Sequence, residues 1–360
     1  MLTVDEVQKK AKELATAGSP KDRERYMKSL HIPHRNLNYV ISEARTLMTA
    51  GAGLSVTIVV GPPGVGKTTF GRMQLLNLIQ QHKIEIQENP SAIPAVMCDV
   101  DAPGKDSKIN YPLLYSRICK ALLSPSALEG FGVPLEPNQT IDLMNNSQLM
   151  CEAAISGRGL QHLILDEAVH FAHSKSDPVQ YSDMLKSYSN RSGFNLLMLG
   201  AYGCEILVLA TGEMARRLSV IHYERYKDTK VDFIEYSTFV VSVAAALPYR
   251  FEVDVSKQLE YLFIGTFGLP GLTVDVLSKA AHRCVLERYP RWNDTFLLKA
   301  MPSKAAQRKI ALSTVRGERD IEPYLQLTSK VNYVSEEDAR RELQSEERES
   351  RSLNGRRAVR

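Results

Sequence analysis

The chain lacks the features that mark membrane, secreted and zinc-binding proteins. No apolar run approaches the roughly 18–20 residues that a transmembrane helix needs, and the opening MLTVDEVQKKAKELA contains no apolar signal core. The five cysteines are widely separated and form no CxxC pair, which disfavours a zinc site and fits a reducing compartment. We therefore expect a soluble protein that stays inside the cell.

A large charge of one sign is also missing. The 45 Lys and Arg residues nearly balance the 41 Asp and Glu residues, so the net charge is only +4. This balance neither requires nor excludes a nucleic-acid partner, because a local basic patch decides such binding. Hydrophobic residues make up 44% of the chain, which excludes a wholly disordered protein, and 360 residues suffice for two or three domains.

What the sequence does contain is an alternation of strand and helix patterns. Short apolar runs, each followed by polar or glycine-rich residues, are typical of strands buried on both faces. Between them, apolar residues recur at three- and four-residue spacing, as in helices packed on a sheet. The alternation predicts an α/β fold with a parallel sheet and flanking helices. The predicted strands cover residues 55–60, 94–100, 162–166, 194–200 and 219–223.

The patterns divide the chain into four parts. We expect an N-terminal helical extension over residues 1–45 and a core of alternating strands and helices over residues 46–230, which the motifs below identify as a P-loop ATPase core. A small helical lid over residues 231–330 follows, and residues 331–360 form a charged tail.

A phosphate-binding loop is the sharpest motif. Residues 61–68 read GPPGVGKT and match the P-loop pattern G-x-x-x-x-G-K-[ST] between a predicted strand and a predicted helix. Its glycines let successive N–H groups turn towards phosphate oxygens, while Lys67 reaches the β- and γ-phosphates and Thr68 holds Mg²⁺. The predicted ATP-binding residues are Gly61, Pro62, Pro63, Gly64, Val65, Gly66, Lys67, Thr68, Thr69 and Asp166.

A pair of carboxylates completes the predicted site. The strand HLILD ends at Asp166, which we expect to bind Mg²⁺, and Glu167 follows as the group that orients or deprotonates the attacking water. Lys67 precedes Asp166 by 99 residues (166 − 67), which leaves room for an intervening strand. That spacing is typical of ATPases in which another strand lies between the two motif-bearing strands.

The order of these motifs resembles that of AAA+ ATPases, and within them of the TniB/TnsC kind that regulates DNA transposition. The resemblance covers roughly residues 20–310. The segments that carry it are residues 22–26 and 30–34, GPPGVGKTT, LILDEAVHF, LLMLGAY, residues 212–226, and EYSTFVVSVAAALPY followed by GTFGLPGLTVDVLSKAA.

The resemblance implies a site completed by a neighbouring subunit. Arg216 or Arg217 would then reach the γ-phosphate of the adjacent copy. In such ATPases a residue near the sensor strand also contacts the γ-phosphate. Here this contact comes from Tyr202, from Asn195, or from no residue. The helix beginning at Gly271 has no arginine in its first turns, so slow hydrolysis is expected.

The resemblance also implies partners. They are double-stranded DNA bound without sequence preference, further copies in a ring or helical filament, a transposase, and a target-selection protein of the TniQ type. DNA that passes through such an assembly would lie beside Lys105 and Lys108 in the loop after the second strand. Each lysine would then contact a backbone phosphate. ATP hydrolysis would drive disassembly, in the bacterial cytoplasm.

Two other functions remain open. The first is a replication initiator or helicase loader, which shares the sheet, the lid and the oligomerisation. The second is a nucleotide-gated signalling or defence scaffold that does not bind DNA.

Overall fold

The fold is seen in a computed structural model that describes residues 4–49, 56–103, 109–123, 147–172, 194–210, 218–287, 289, 291–325 and 341. Within them, five parallel strands form one sheet in the order β2-β3-β4-β1-β5. This confirms the predicted α/β fold. The strands are β1 (Val56–Val60), β2 (Ala95–Asp99), β3 (His162–Asp166), β4 (Asn195–Gly200) and β5 (Leu218–His222).

All five strands end along the same edge of the sheet. In the register, Val60 at the end of β1 pairs with Gly200 of β4 and with His222 of β5. Asp99 and Asp166 pair in the same way at the ends of β2 and β3. Because the strands are parallel, this single edge collects the loops that follow them, which is where ligands bind in open α/β sheets.

Helices pack on both the sheet and one another. The glycine at position 71 shows how closely the helix after β1 approaches, since a Cβ there would lie 2.5 Å from Leu199 Cδ1. The helices of the described residues are α1 (Val4–Ala17), α2 (Pro20–Ser29), α3 (Arg35–Thr49), α4 (Lys67–Gln81), α5 (Lys83–Glu88), α6 (Tyr111–Leu123), α7 (Ser147–Arg158), α8 (Val169–Ala172), α9 (Lys230–Ala246), α10 (Leu259–Thr266), α11 (Pro270–Leu286), α12 (Asp294–Ala300) and α13 (Lys304–Ile321).

Helices α9 to α12 share a hydrophobic core of their own, which includes Phe239, Leu262, Val276 and Phe296. A triad of buried hydroxyl groups joins three of these helices. The Tyr236 hydroxyl is fully buried and lies 3.0 Å from Thr266 Oγ1 and 2.8 Å from Thr273 Oγ1. A buried hydroxyl without a partner is costly, so this triad links α9, α10 and α11 specifically.

The N-terminal helices attach to this helical region. The Tyr26 hydroxyl donates to the Ala246 carbonyl at the end of α9 at 3.0 Å, and the Lys12 ammonium donates to the Ala245 carbonyl. Helix α2 starts with a capping box in which Ser19 and Asp22 satisfy each other's backbone N–H groups. Residues 1–324 form one compact unit. The division into four parts, with its three boundaries, remains a prediction.

No single helix of the described residues is long and apolar enough to cross a membrane. The bent pair formed by α10 and α11 passes a test of length and composition only when the two helices are taken together.

A buried histidine makes the stability of the fold depend on pH. His162 begins β3, is 9% exposed, and has no hydrogen-bond partner for Nδ1. Its ring lies 5.5 Å from that of His82, whose own Nδ1 lies 2.9 Å from the Glu85 carboxylate. Burial, with a smaller contribution from His82, lowers the pKa of His162 to about 4.

We predict that the free energy of unfolding decreases as the pH falls from 6.5 towards 4. The unfolded imidazole binds a proton in this range and the folded one does not, so up to about 3 kcal/mol is present above pH 6.5 and lost on the way to pH 4. Urea denaturation at pH 7 and pH 5 measures the change. His162→Gln should make the pH dependence shallower, whereas the exposed control His282→Gln should leave it unchanged. An equal slope in both variants would contradict the assignment.

Candidate nucleotide site

The P-loop folds as its glycines require. Gly64 and Gly66 have φ angles of +80° and +114°, a region that side chains with a Cβ rarely adopt. Gly66 caps α4 without a side-chain hydrogen bond, so the first N–H groups of this helix remain directed at the loop. The loop and the helix N-terminus together form a cradle of backbone donors suited to phosphate.

Lys67 lies folded back over this loop. Its ammonium donates to the carbonyls of Gly61 at 2.8 Å and Pro62 at 3.0 Å. Burial lowers the pKa of Lys67 to about 8, and the carboxylates of Glu167 and Asp166 partly oppose this shift. An amine desolvated in this way gains strongly from an anion, which fits a β- or γ-phosphate at this position.

Asp166 and Thr68 are brought into direct contact. The Thr68 hydroxyl donates to Asp166 Oδ2 at 2.7 Å, and the Asp166 side chain is buried, at 3% exposed. Asp166 Oδ1 accepts the backbone N–H of Glu167 at 2.8 Å, which fixes the carboxylate plane. One hydroxyl and one carboxylate meeting beside a phosphate cradle fit Mg²⁺, a hard cation that prefers oxygen ligands. Bound Mg²⁺ would neutralise charge that develops on the phosphates.

Glu167 is held in an unusual backbone conformation. Its φ angle is +56°, in the left-handed region, and its side chain is exposed. The next residue is fixed by a 2.8 Å hydrogen bond from the Ala168 N–H to the Leu199 carbonyl. Strained residues of this kind persist where the surroundings determine them, and they cluster at functional sites. The turn presents the Glu167 carboxylate at the strand edge, as a base for water requires.

The helical lid contacts the P-loop through backbone atoms. The Leu272 N–H donates to the Gly64 carbonyl at 3.2 Å. A Cβ on Gly271 would lie 2.7 Å from the same oxygen, so only glycine fits there. The first turn of α11 therefore rests on the loop without any charged side chain.

Tyr223 and His34 are site residues to which the motifs assigned no role. The carbonyl of Tyr223 lies 2.5 Å from where a Cβ of Gly61 would be, so Tyr223 forms the floor of the loop. Its hydroxyl lies 3.3 Å from His34 Nε2, and His34 Nδ1 lies 3.1 Å from the Tyr226 hydroxyl. Burial lowers the pKa of His34 to about 4, so the ring is neutral at pH 7. Both residues lie in segments that carry the family resemblance.

Tyr202 and Asn195 were the two candidates for a contact with the γ-phosphate, and the prediction of Asn195 is wrong. Asn195 begins β4 opposite His162, whereas the P-loop follows the other end of the sheet. The hydroxyl of Tyr202 lies 2.9 Å from His222 Nε2, which already engages it. The apolar pattern of β4 fixes the strand but does not show which of its ends lies beside the P-loop.

The residues predicted to act across subunits and on DNA are not described by the structure. Arg216 and Arg217 lie outside the described residues, as do Lys105 and Lys108. Their roles remain predictions. The arginine that follows β5, Arg225, is engaged by the protein itself, with Nε 2.9 Å from Glu318 Oε1 and its guanidinium 4.0 Å above the Phe267 ring.

Comparison with known proteins agrees with this geometry. Residues 52–208 match the family model described as AAA domain. No curated protein matches the sequence. The fold is similar to the ORC1 protein of Aeropyrum pernix in complex with DNA, with a TM-score of 0.50, 14% identity, and 80% of this chain and 68% of that one covered.

Two further solved structures are similar at lower scores. The ORC2 protein of Aeropyrum pernix has a TM-score of 0.48 and 16% identity over 77% of this chain and 71% of that one. A Walker-type ATPase of Pyrococcus abyssi has a TM-score of 0.45 and 14% identity over 78% and 75%. The AAA domain match contains the P-loop and the Asp166–Glu167 pair. The chain is thus an ATPase with an AAA+ P-loop fold.

We predict that Glu167→Gln lowers the rate of ATP hydrolysis by roughly 10²–10⁴-fold, because an amide cannot accept a proton from water. ATP binding should be retained, since the P-loop is unchanged. Steady-state hydrolysis and equilibrium binding of a fluorescent ATP analogue measure the two effects. Glu88→Gln, an exposed position on α5, serves as the control. If Glu167→Gln hydrolysed ATP as fast as this control, Glu167 would not be the base.

Proposed function

We propose that the chain is an ATP-dependent DNA-binding regulator of DNA transposition. ATP binding drives its oligomerisation on duplex target DNA, the oligomer links a TniQ-type target-selection protein to a transposase, and hydrolysis drives disassembly. The family resemblance of residues 20–310 supports the assignment to transposition. One observation supports the oligomerisation: Arg225, the arginine that follows β5, is engaged by Glu318 and Phe267 of its own chain.

A positively charged side chain besides Lys67 is needed because negative charge develops during ATP hydrolysis. Phosphoryl transfer spreads negative charge over the γ-phosphate oxygens, and arginines stabilise it in related ATPases. Arg225 is held by Glu318 and Phe267, and the first turn of α11 begins Pro270–Gly271 without an arginine. Lys67 is therefore complemented by Arg216 or Arg217 of a neighbouring copy.

Such a contact joins different surfaces of identical subunits. Head-to-tail contacts of this kind close into a ring or continue as a helical filament. The similarity to a DNA-bound ORC1 protein supports DNA as a ligand of this fold. The same similarity favours a second candidate, a replication-initiator type of ATPase, and it does not favour the scaffold without DNA. Stimulation of transposition by a purified transposase distinguishes the first candidate from the second.

We predict that Arg216→Ala, Arg217→Ala or the double variant abolishes ATP-dependent assembly while each subunit still binds ATP. The reason is that the γ-phosphate then has no partner across the interface. Analytical ultracentrifugation with a nonhydrolysable ATP analogue, Mg²⁺ and long duplex measures assembly. Lys83→Ala, exposed on α5 at the opposite edge of the sheet, serves as the control. Normal assembly of the double variant would refute the arginine assignment.

We predict that DNA affinity falls steeply with salt and depends little on sequence, because the contacts are with backbone phosphate. The slope of log K against log salt is about −0.9 per neutralised phosphate. Lys105→Gln combined with Lys108→Gln should therefore make the slope shallower by about two units. Fluorescence anisotropy on random-sequence duplex at several salt concentrations tests this. An affinity that does not change with salt would contradict phosphate contacts.

A further inference from the structure

Helix α13 has an exposed face that carries four cationic side chains between Lys304 and Arg316. Lys304, Arg308, Lys309 and Arg316 are exposed, and in the part of the chain that the structure describes none of them forms an ion pair. At about 1.5 Å per residue, the twelve steps from Lys304 to Arg316 span about 18 Å. At about 100° per residue, all four cations fall within one broad arc of the helix.

The opposite face of α13 is buried. Thr314, Gly317 and Ile321 point into the protein, which leaves the cations directed outwards. Two apolar side chains, Leu312 at 58% and Val315 at 53% exposed, lie among the cations. A face that mixes unpaired cations with exposed apolar groups is typical of a binding surface more than of a solvated one.

The acidic residues of the helix do not neutralise this face. Glu318 is bound to Arg225, and Asp320 is paired with Arg319 at 2.7 Å. Glu322, the nearest acidic residue that follows the helix, belongs to the 3₁₀ turn at its C-terminal end. The four cations therefore create an uncompensated positive stripe, whose complement is a polyanion with regularly spaced charges.

The helix is fixed rigidly to the nucleotide-binding sheet. The guanidinium of Arg225 binds both Glu318 oxygens, at 2.9 and 3.3 Å, and both side chains are largely buried. Gly317 lies against the Tyr202 ring so closely that a Cβ would be 2.1 Å from Cδ2. Tyr202 follows β4 and Arg225 follows β5, so the stripe is held at one side of the ATPase sheet.

We propose that this cationic stripe of α13 binds backbone phosphates of duplex DNA. The inference rests on the proposed function, because it gives the DNA-binding ATPase a second contact surface. Its residues are distinct from Lys105 and Lys108, which lie outside the described residues. Contacts with phosphate carry no sequence information, which agrees with DNA binding without sequence preference.

The test compares two variants with the same net charge. The stripe variant combines Lys304→Gln, Arg308→Gln, Lys309→Gln and Arg316→Gln. The control combines Lys9→Gln, Lys83→Gln, Lys120→Gln and Lys230→Gln, which are exposed but scattered over four helices. Affinity for long random-sequence duplex is measured with an ATP analogue at several salt concentrations. Thermal unfolding and DNA-free ATP hydrolysis should equal those of the unmodified protein in both variants.

The stripe variant should bind DNA with a salt slope shallower by two to about four units than the control, and at least tenfold more weakly at low salt. Single substitutions should each remove about 0.9 unit of slope. Equal affinity and slope in the two variants would overturn the inference while leaving the proposed function intact. Lost self-assembly with unchanged DNA binding would make the stripe a protein contact and also overturn it. If the unmodified protein bound no duplex, the proposed function itself would fail.

Discussion

The nucleotide site depends on one hydrogen bond, between the Thr68 hydroxyl and the Asp166 carboxylate at 2.7 Å. The two residues are 98 positions apart: Thr68 lies in the first turn of α4, after β1 and the P-loop, and Asp166 is the last residue of β3. They meet because β1 and β3 are parallel and end at the same edge, separated by β4 alone. A register slip of one residue in either strand would turn the carboxylate away from the hydroxyl. The hydrophobic burial that fixes the strands therefore also places the ligands of the cation.

Residues 223–226, which follow β5, join parts of the fold that are distant in sequence. Tyr223 supports the P-loop, Arg225 anchors α13, and Tyr226 contacts His34 in the N-terminal segment. The N-terminal segment, the ATPase core and the helical region are thus connected through one short stretch of chain. Its buried aromatic rings and its charge pair give it little freedom to move independently of the sheet.

The sequence allowed the strands and the P-loop to be predicted well, because both depend on local patterns. Strand β3 was predicted with its observed bounds, since polar residues precede and follow an unbroken apolar run. The Arg225–Glu318 pair, the Tyr202–Gly317 contact and the fit of Gly271 against Gly64 could not be predicted. Each joins residues whose proximity is set by tertiary packing, and a lone glycine or arginine carries no sign of its partner. Asn195 shows the same limit, because its position depends on strand direction in three dimensions.

The contact between Gly271 and Gly64 has a mechanical consequence for the cycle of the enzyme. The Leu272 N–H in the first turn of α11 donates to the carbonyl of Gly64 in the P-loop. Any movement of α11 away from the loop must break this hydrogen bond. Moving α11 outwards would release the Gly64 carbonyl and so remove one constraint on the conformation of the P-loop. The position of α11 and the shape of the P-loop are in this way linked by main-chain atoms, which a side-chain substitution elsewhere in α11 leaves in place.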